Sequence, residues 1–189
     1  MIIKIINDFL NYIIKMKKHM SYLVFFLILI SCKDNKISKN QENNRPFEII
    51  IDLIIIKNDN AILYYRDGSN EWFDEKHSVW VGLAGSKKAQ KLKFSLPKGV
   101  LPNHLRLDFS NNPKQEPLRL LNIKIKYQNR VFEIKEEEVL NYFNMNECII
   151  FDKAKKTYNP IKDSNGIYDP YLLINEKFYI KMDDIIMGN

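Results

Sequence analysis

The sequence predicts a mostly β domain, an antiparallel β-sandwich with one short helix, preceded by a signal segment and a flexible tether. Three observations predict it. Short apolar runs recur from Phe47 to Ile174, and several alternate polar with apolar residues, the period-two pattern of half-buried strands. Clusters of Asn, Asp, Gly and Pro separate these runs, as turn signals do between the short strands of a sandwich. Only Lys135 to Phe143 combines helical spacing with acids at its start, Glu136 to Glu138, where the helix dipole favours negative charge.

In chain order, Phe47 to Lys57 (FEIIIDLIIIK) is rich in isoleucine and lacks helix caps, so it reads as a strand. Asn58-Asp59-Asn60 supplies turn chemistry, and Ala61 to Tyr65 is expected to return as its hairpin partner. After the turn at Asp67-Gly68-Ser69-Asn70 come strands at Ser78–Leu83, Lys91–Leu96 and His104–Phe109, the last two alternating cleanly. Leu118 to Tyr127 alternates through Leu121, Ile123, Ile125 and Tyr127, and Val131 to Ile134 is expected to pair back across Gln128-Asn129-Arg130. After the helix, Cys148–Phe151 and Tyr171–Ile174 read as further strands. Val139, Leu140 and Phe143 form the helix's apolar stripe, facing inward or toward a partner. No internal repeat is present.

The 189 residues are 46% hydrophobic and 28% charged, the balance of an ordinary globular protein with one domain and a tail. The net charge of +6 divides evenly: residues 1–31 hold four lysines against Asp8, and the remainder has 25 basic and 22 acidic groups. No run of five like charges occurs, so a nucleic-acid partner is not expected.

The first segment has its own logic. Met16-Lys17-Lys18-His19-Met20 is basic, residues 22–30 (YLVFFLILI) are nine consecutive apolar positions, and Leu29-Ile30-Ser31-Cys32 ends the run with a small residue before cysteine. Nine residues suit a secretory signal, about 7–15, and fall short of the ~20 that a spanning helix needs. Basic start, short apolar core and small residue before Cys, in that order, resemble the lipobox signal of bacterial lipoproteins. The resemblance implies cleavage after Ser31 and a covalent diacylglycerol on Cys32, through a thioether that needs a thiol. The acyl chains then anchor the protein, each buried CH2 contributing ~0.8 kcal/mol. The alternative is an uncleaved N-terminal or internal core helix, which the lysines and the polar segment after Cys32 fit poorly.

Residues 1–15 place apolar residues ahead of the basic stretch, so a translation start at Met16 or Met20 is the expectation to test by N-terminal sequencing of the precursor. Residues 33–46 are dominated by Lys, Asn, Asp, Gln and Ser, with Ile37 the one large apolar residue. Such a stretch buries too little surface to offset its ordering entropy and reads as a tether. The expected organisation is a signal at 1–31, the lipidated cysteine and tether at 32–46, and the sandwich at 47–189. The expected location is the cell envelope, lipid-anchored at the outer membrane on its periplasmic face or at the cell surface. Lys33 stands where aspartate favours inner-membrane retention, and the Cys-Lys-Asp start resembles the surface-export tethers of some Bacteroidota lipoproteins. With Cys32 lipidated, Cys148 has no disulfide partner in the chain and reads as a small buried hydrophobe. A Cys32–Cys148 disulfide is the rival if the lipobox reading fails.

In the body, Leu105-Arg106-Leu107-Asp108-Phe109-Ser110-Asn111 precedes Leu118 to Ile125, and Tyr168-Asp169-Pro170-Tyr171 lies near the end. These segments resemble a β-sandwich module of bacterial surface-polysaccharide proteins, over residues 61–174. The resemblance implies a galactose-binding-like jelly roll in which sugar contact is possible.

Motifs of catalysis are missing. His77 and His104, the histidines left after cleavage, fall in no metal-ligand spacing. No nucleophile elbow, phosphate loop or dinucleotide fingerprint occurs. No catalytic residue, metal or cofactor is assigned, apart from the covalent lipid on Cys32. Asp163-Ser164-Asn165-Gly166 with Asp169 partly matches a calcium loop, but turn formation explains the same residues. More informative is an aromatic cluster: Tyr64-Tyr65-Arg66-Asp67, Glu71-Trp72-Phe73-Asp74 and Trp80 put five large rings within seventeen positions. Flat sugar faces pack on such rings while adjacent Arg and Asp bond the hydroxyls, so Trp72, Tyr65, Arg66, Asp67 and Trp80 are the candidate ligand-binding residues. Trp72, in a polar turn-rich segment, is the expected exposed platform. Trp80, between Val79 and Val81, is expected in the core or as an inter-sheet plug; the reading that outweighs a binding role is that most of these rings simply fill the sandwich. The expected function is a non-catalytic envelope binding module for glycans. The alternative is a structural or assembly lipoprotein that binds another envelope protein. An envelope enzyme ranks third.

Overall fold

The computed structural model of the chain describes residues 45–188, which fall within one compact unit. The expected signal segment, Cys32 and the expected tether as far as residue 44 lie outside the described residues. Eleven strands follow in order: β1 (Glu48–Ile55), β2 (Asp59–Arg66), β3 (Ser78–Leu83), β4 (Ser86–Ser95), β5 (His104–Asp108), β6 (Arg119–Tyr127), β7 (Arg130–Lys135), β8 (Phe143–Met145), β9 (Ile149–Asp152), β10 (Thr157–Pro160) and β11 (Tyr171–Ile174). Two α-helices join them, α1 (Val139–Tyr142) and α2 (Glu176–Met187).

The strands form an antiparallel β-sandwich. A four-stranded sheet has the order β4-β1-β6-β7 and a five-stranded sheet the order β3-β2-β5-β11-β8. The β9–β10 hairpin stands apart, tied to the body by a bridge between Leu118 and Tyr158. Alternation decides the inner faces. Ile49, Ile51, Leu53 and Ile55 of β1 and Leu63, Leu105, Leu107 and Leu172 of the other sheet are all buried in one core cluster. Each such side chain stabilises the fold by about 1.5–3 kcal/mol, and together they hold the sheets face to face.

The expected pairing of Ala61–Tyr65 with the first strand does not form. β1 pairs with β4 and β6, while β2 pairs with β3 and β5 in the opposite sheet. The reason lies in β1 itself: it takes neighbours on both edges and is the buried middle of its sheet. The connection through Asn58 therefore crosses between sheets. There the Gly85 amide donates to Asn58 Oδ1 at 2.8 Å, and a Cβ on Gly85 would stand 2.4 Å from the Ile56 carbonyl oxygen. The second expected hairpin does form, Tyr127 opposite Arg130 across Gln128-Asn129, with Gln128 at φ 54°.

The helix expected over Lys135–Phe143 is shorter than its span. Lys135 closes β7, Glu136–Glu138 is a 3-10 turn, and Phe143 opens β8. No element was expected beyond Ile174, yet α2 follows. Its signals are local: Asn175 Oδ1 accepts from the amides of Lys177 and Phe178, and Gly188 ends the helix at φ 85°. Phe178, Met182 and Ile185 recur on one face and complete the core beside α1 and β7. No helix among the described residues is long and apolar enough to cross a membrane.

Candidate functional site

The outward face of the five-stranded sheet carries the candidate site. Register sets its rows. Trp80, Ile62, Asp108 and Tyr171 lie side by side across β3, β2, β5 and β11. The next row is Ser78, Tyr64, Arg106 and Leu173, and beyond it Arg66 faces His104.

Arg106 is the centre. Its Nε donates to Asp108 Oδ1 at 2.8 Å and its Nη2 to Asp108 Oδ2 at 2.7 Å, a bidentate pair. The same Nη2 donates to Asp169 Oδ1 at 2.5 Å. The guanidinium lies over the Tyr171 ring, 3.9 Å from its centroid, and 5.5 Å from that of Tyr64, so both rings are held by cation–π attraction. The Asp108 side chain is only 7% exposed. Burial pushes its carboxyl up to about 6; Arg106 opposes the rise and the Asp169 charge adds to it. Burial also works against the Arg106 charge, but Asp108 and Asp169 together keep that group above its ordinary value.

A buried network braces the end of this face. Asp59 Oδ2 accepts from Ser110 Oγ at 2.6 Å and Gln115 Nε2 at 2.8 Å, and its Oδ1 from the amides of Asn60 and Asn111, both at 2.8 Å. Ser110 Oγ also meets the Tyr168 hydroxyl at 2.7 Å, which fixes the strand that delivers Asp169. The segments that carried the polysaccharide-module resemblance, around Arg106–Asn111 and Tyr168–Tyr171, are thus neighbours in space.

The five residues singled out by sequence are divided by the fold. Trp80 is not a core plug: it is 52% exposed, because Val79 and Val81 take the inward positions and the strand's parity turns the indole out. Its Nε1 donates to Ser78 Oγ at 3.1 Å. Trp72 is exposed as expected, at 80%, but its indole makes no hydrogen bond or ring contact among the described residues. Tyr65 points into the core, edge-on to His77, and its hydroxyl is raised by burial. Asp67 holds the following turn, accepting from the Ser69 amide at 3.0 Å and hydroxyl at 2.6 Å, bonds that hold its carboxyl below the usual range. Arg66 faces outward beside His104. Tyr64, Arg106, Asp108, Asp169 and Tyr171 were not among the expected site residues. The signal for them was the outward parity of β2 and β5, which places Tyr64, Arg106 and Asp108 on the face of Trp80.

Chemically, this surface offers flat rings beside fixed donors and acceptors. Both Asp108 oxygens accept from Arg106, while Asp169 shares only its Oδ1 with that guanidinium. The partial calcium motif is a turn, in which Asp163 Oδ1 accepts from the amides of Asn165 at 2.9 Å and Ile167 at 2.7 Å, while Asp169 serves Arg106. Among the described residues no group of His, Cys, Asp or Glu side chains is placed to hold a metal ion. Cys148 is buried, as its surroundings in the sequence predict.

Compared with protein-family models, with curated proteins and with solved structures, the chain matches none.

Proposed function

We propose that this chain is an envelope lipoprotein, anchored through Cys32, whose β-sandwich is a non-catalytic binding module for glycans. The observation that carries the reading is the outward face of the five-stranded sheet. There the half-exposed indole of Trp80 and the rings of Tyr64 and Tyr171 share one surface with the Arg106–Asp108–Asp169 cluster. Rings receive the apolar C–H face of a sugar, and Asp169, about half exposed on the same cluster, accepts from its hydroxyls. The guanidinium sets the angle of Tyr64 and Tyr171 before any ligand arrives, which lowers the entropy lost on binding.

The anchor rests on the basic start, short apolar core and Ser31-Cys32 of the leader. Labelling cells with an alkyne-bearing fatty acid tests it: the protein takes up label, and Cys32→Ser takes up none. The module is tested by glycan-array binding of residues 45–189 beside Trp80→Ala and Trp72→Ala. Binding that Trp80→Ala abolishes, with the fold intact by circular dichroism, supports the platform. Absence of binding to every glycan overturns the ligand class and transfers the module to an envelope protein partner.

A further inference from the structure

One cation of the same face is left without a partner. Arg45 donates to Asn129, Arg106 to Asp108 and Asp169, Arg119 to Glu136, and Arg130 to the Ile185 carbonyl. Arg66 alone of the described arginines makes neither an ion pair nor a side-chain hydrogen bond, and its Nε is buried with no acceptor in the protein. A buried donor on a charged group is costly to leave without an acceptor, and an acceptor from outside the chain would satisfy it.

The surroundings fit that acceptor. Arg66, Asn103, His104 and Tyr179 line an open cleft of about 250 Å³ between the end of β2 and β5 and the helix α2. Each of the four side chains can donate a hydrogen bond, and none is a carboxylate. The nearest acid along the chain, Asp67, is turned to Ser69. His104 is positioned from behind by Phe73, stacked at 5.8 Å and 15°. Burial, and after it the Arg66 charge, hold the imidazole below its ordinary value. Along β2, Arg66 is two residues from Tyr64 and four from the Trp80 row, about 7 and 13 Å at strand spacing. The cleft therefore lies at the end of the ring platform, within the reach of one short oligosaccharide.

We propose that this cleft binds the oxyanion of an acidic glycan, the carboxylate of a uronic acid or a sulfate ester, with Arg66 as its principal donor and Asn103, His104 and Tyr179 around it. The inference rests on the glycan reading of the platform and narrows it to charged sugars.

The test has two arms, both on residues 45–189. In the first, the His104 ring is titrated by NMR with and without saturating sodium glucuronate or inorganic sulfate. The expected result is movement of the wild-type Arg66 Nε–H resonance with either anion and a rise in the His104 pKa, the rise being lost in Arg66→Gln and retained in part in Arg66→Lys. Whichever anion acts at the lower concentration distinguishes carboxylate from sulfate ester. In the second arm, oligogalacturonate is compared with its methyl ester by calorimetry. The acid is expected to bind about tenfold more tightly, the ratio falling toward one in Arg66→Gln, while Trp80→Ala weakens acid and ester alike. Equal binding of acid and ester, or a His104 pKa unmoved by both anions, overturns the proposal. If the free anions act at Arg66 but neither oligosaccharide binds, the glycan is overturned as the bearer of the anion, while the platform reading is decided separately by the glycan array.

Discussion

The two outward faces of this sandwich meet water in different ways. On the four-stranded sheet, Lys93 reaches Glu48 at 2.6 Å and Lys91 reaches Asp52 at 3.8 Å, while Lys124 and Lys135 share Glu133 at 3.2 and 2.9 Å. Three of these pairs cross between strands and Lys135–Glu133 runs along β7; in each the lysine is well exposed, from 39% to 65%, so the pair is weak and screened by salt, although Glu48 itself is only 14% exposed. On the five-stranded sheet, Arg106 and Asp108 are largely withdrawn from water and lie among tyrosines. A pair in that position gains little net stability over apolar side chains, yet removing one member leaves a stranded charge. The contrast teaches where to look for function. Ordinary solubility needs only the first kind of surface, so the second is the one that asks for a reason.

That contrast can be broken at its strongest point first. Arg106→Ala is expected to destabilise the domain by about 3–5 kcal/mol, because Asp108 loses its partner; urea unfolding measures it. A loss no larger than that of an exposed ion pair would mean that the two faces do not differ in kind.

The next effect is on pH, and its sign is opposite on the two faces. Asp108 is raised to about 6, so its contribution is fully present below its unfolded value near 3.8 and is lost as pH rises through about 6. Wild type should therefore lose roughly 2–3 kcal/mol relative to Asp108→Asn between pH 4 and 7. Glu133, held by Lys135 and Lys124 at about 2, contributes above the ordinary carboxylate pKa and loses that contribution as pH falls through about 2. Unfolding midpoints of wild type, Asp108→Asn and Glu133→Gln across pH 2–8 separate the two slopes.

Gly85→Ala probes the turn between β3 and β4, the edge where the chain passes from one sheet to the other. With backbone 2.4 Å from the added Cβ, a loss of about 1–3 kcal/mol is expected, read as a lowered melting temperature. Trp80→Ala should leave stability near wild type, since its indole is half exposed, and should weaken glycan binding about tenfold or more. The smallest effect belongs to Lys124→Ala on the charged face: Glu133 keeps Lys135 and Asn122 Nδ2 as partners, so the unfolding midpoint should stay within the scatter of wild type.

Much of the strand plan was legible. Ser78–Leu83 and Tyr171–Ile174 have the bounds expected of them, and the hairpin after Tyr127 closes where its turn residues stand. β8, β10 and α2 stand outside the strands and helix read from sequence, although α2 has its Asn175 cap and the Phe178, Met182, Ile185 spacing in plain view. The site was less legible. Ring density points to Trp72 and Tyr65, whereas the fold leaves the Trp72 indole exposed without a ring partner and sends Tyr65 into the core. Trp80 was assigned inward because of its valine neighbours, when those valines, at odd parity to it, are what turn it outward.

By itself, then, the sequence determined the class of fold and most strand positions, and in strands such as β1 and β5 which residues share a face, because side-chain parity is a local property of an extended backbone; in β6 a bulge resets that parity, so that Leu118 and Leu120, not Leu121, join Ile123 and Ile125 in the core. The resemblance to a lipobox signal ending at Cys32 is likewise carried by adjacent residues alone. Only the tertiary structure decided that β1 pairs with β4 and β6 rather than β2, and that Asp169 meets Arg106 from 63 residues away. The physical reason is that strand partners and the sites between them are chosen by the burial of the whole core, and no local window of sequence contains that sum.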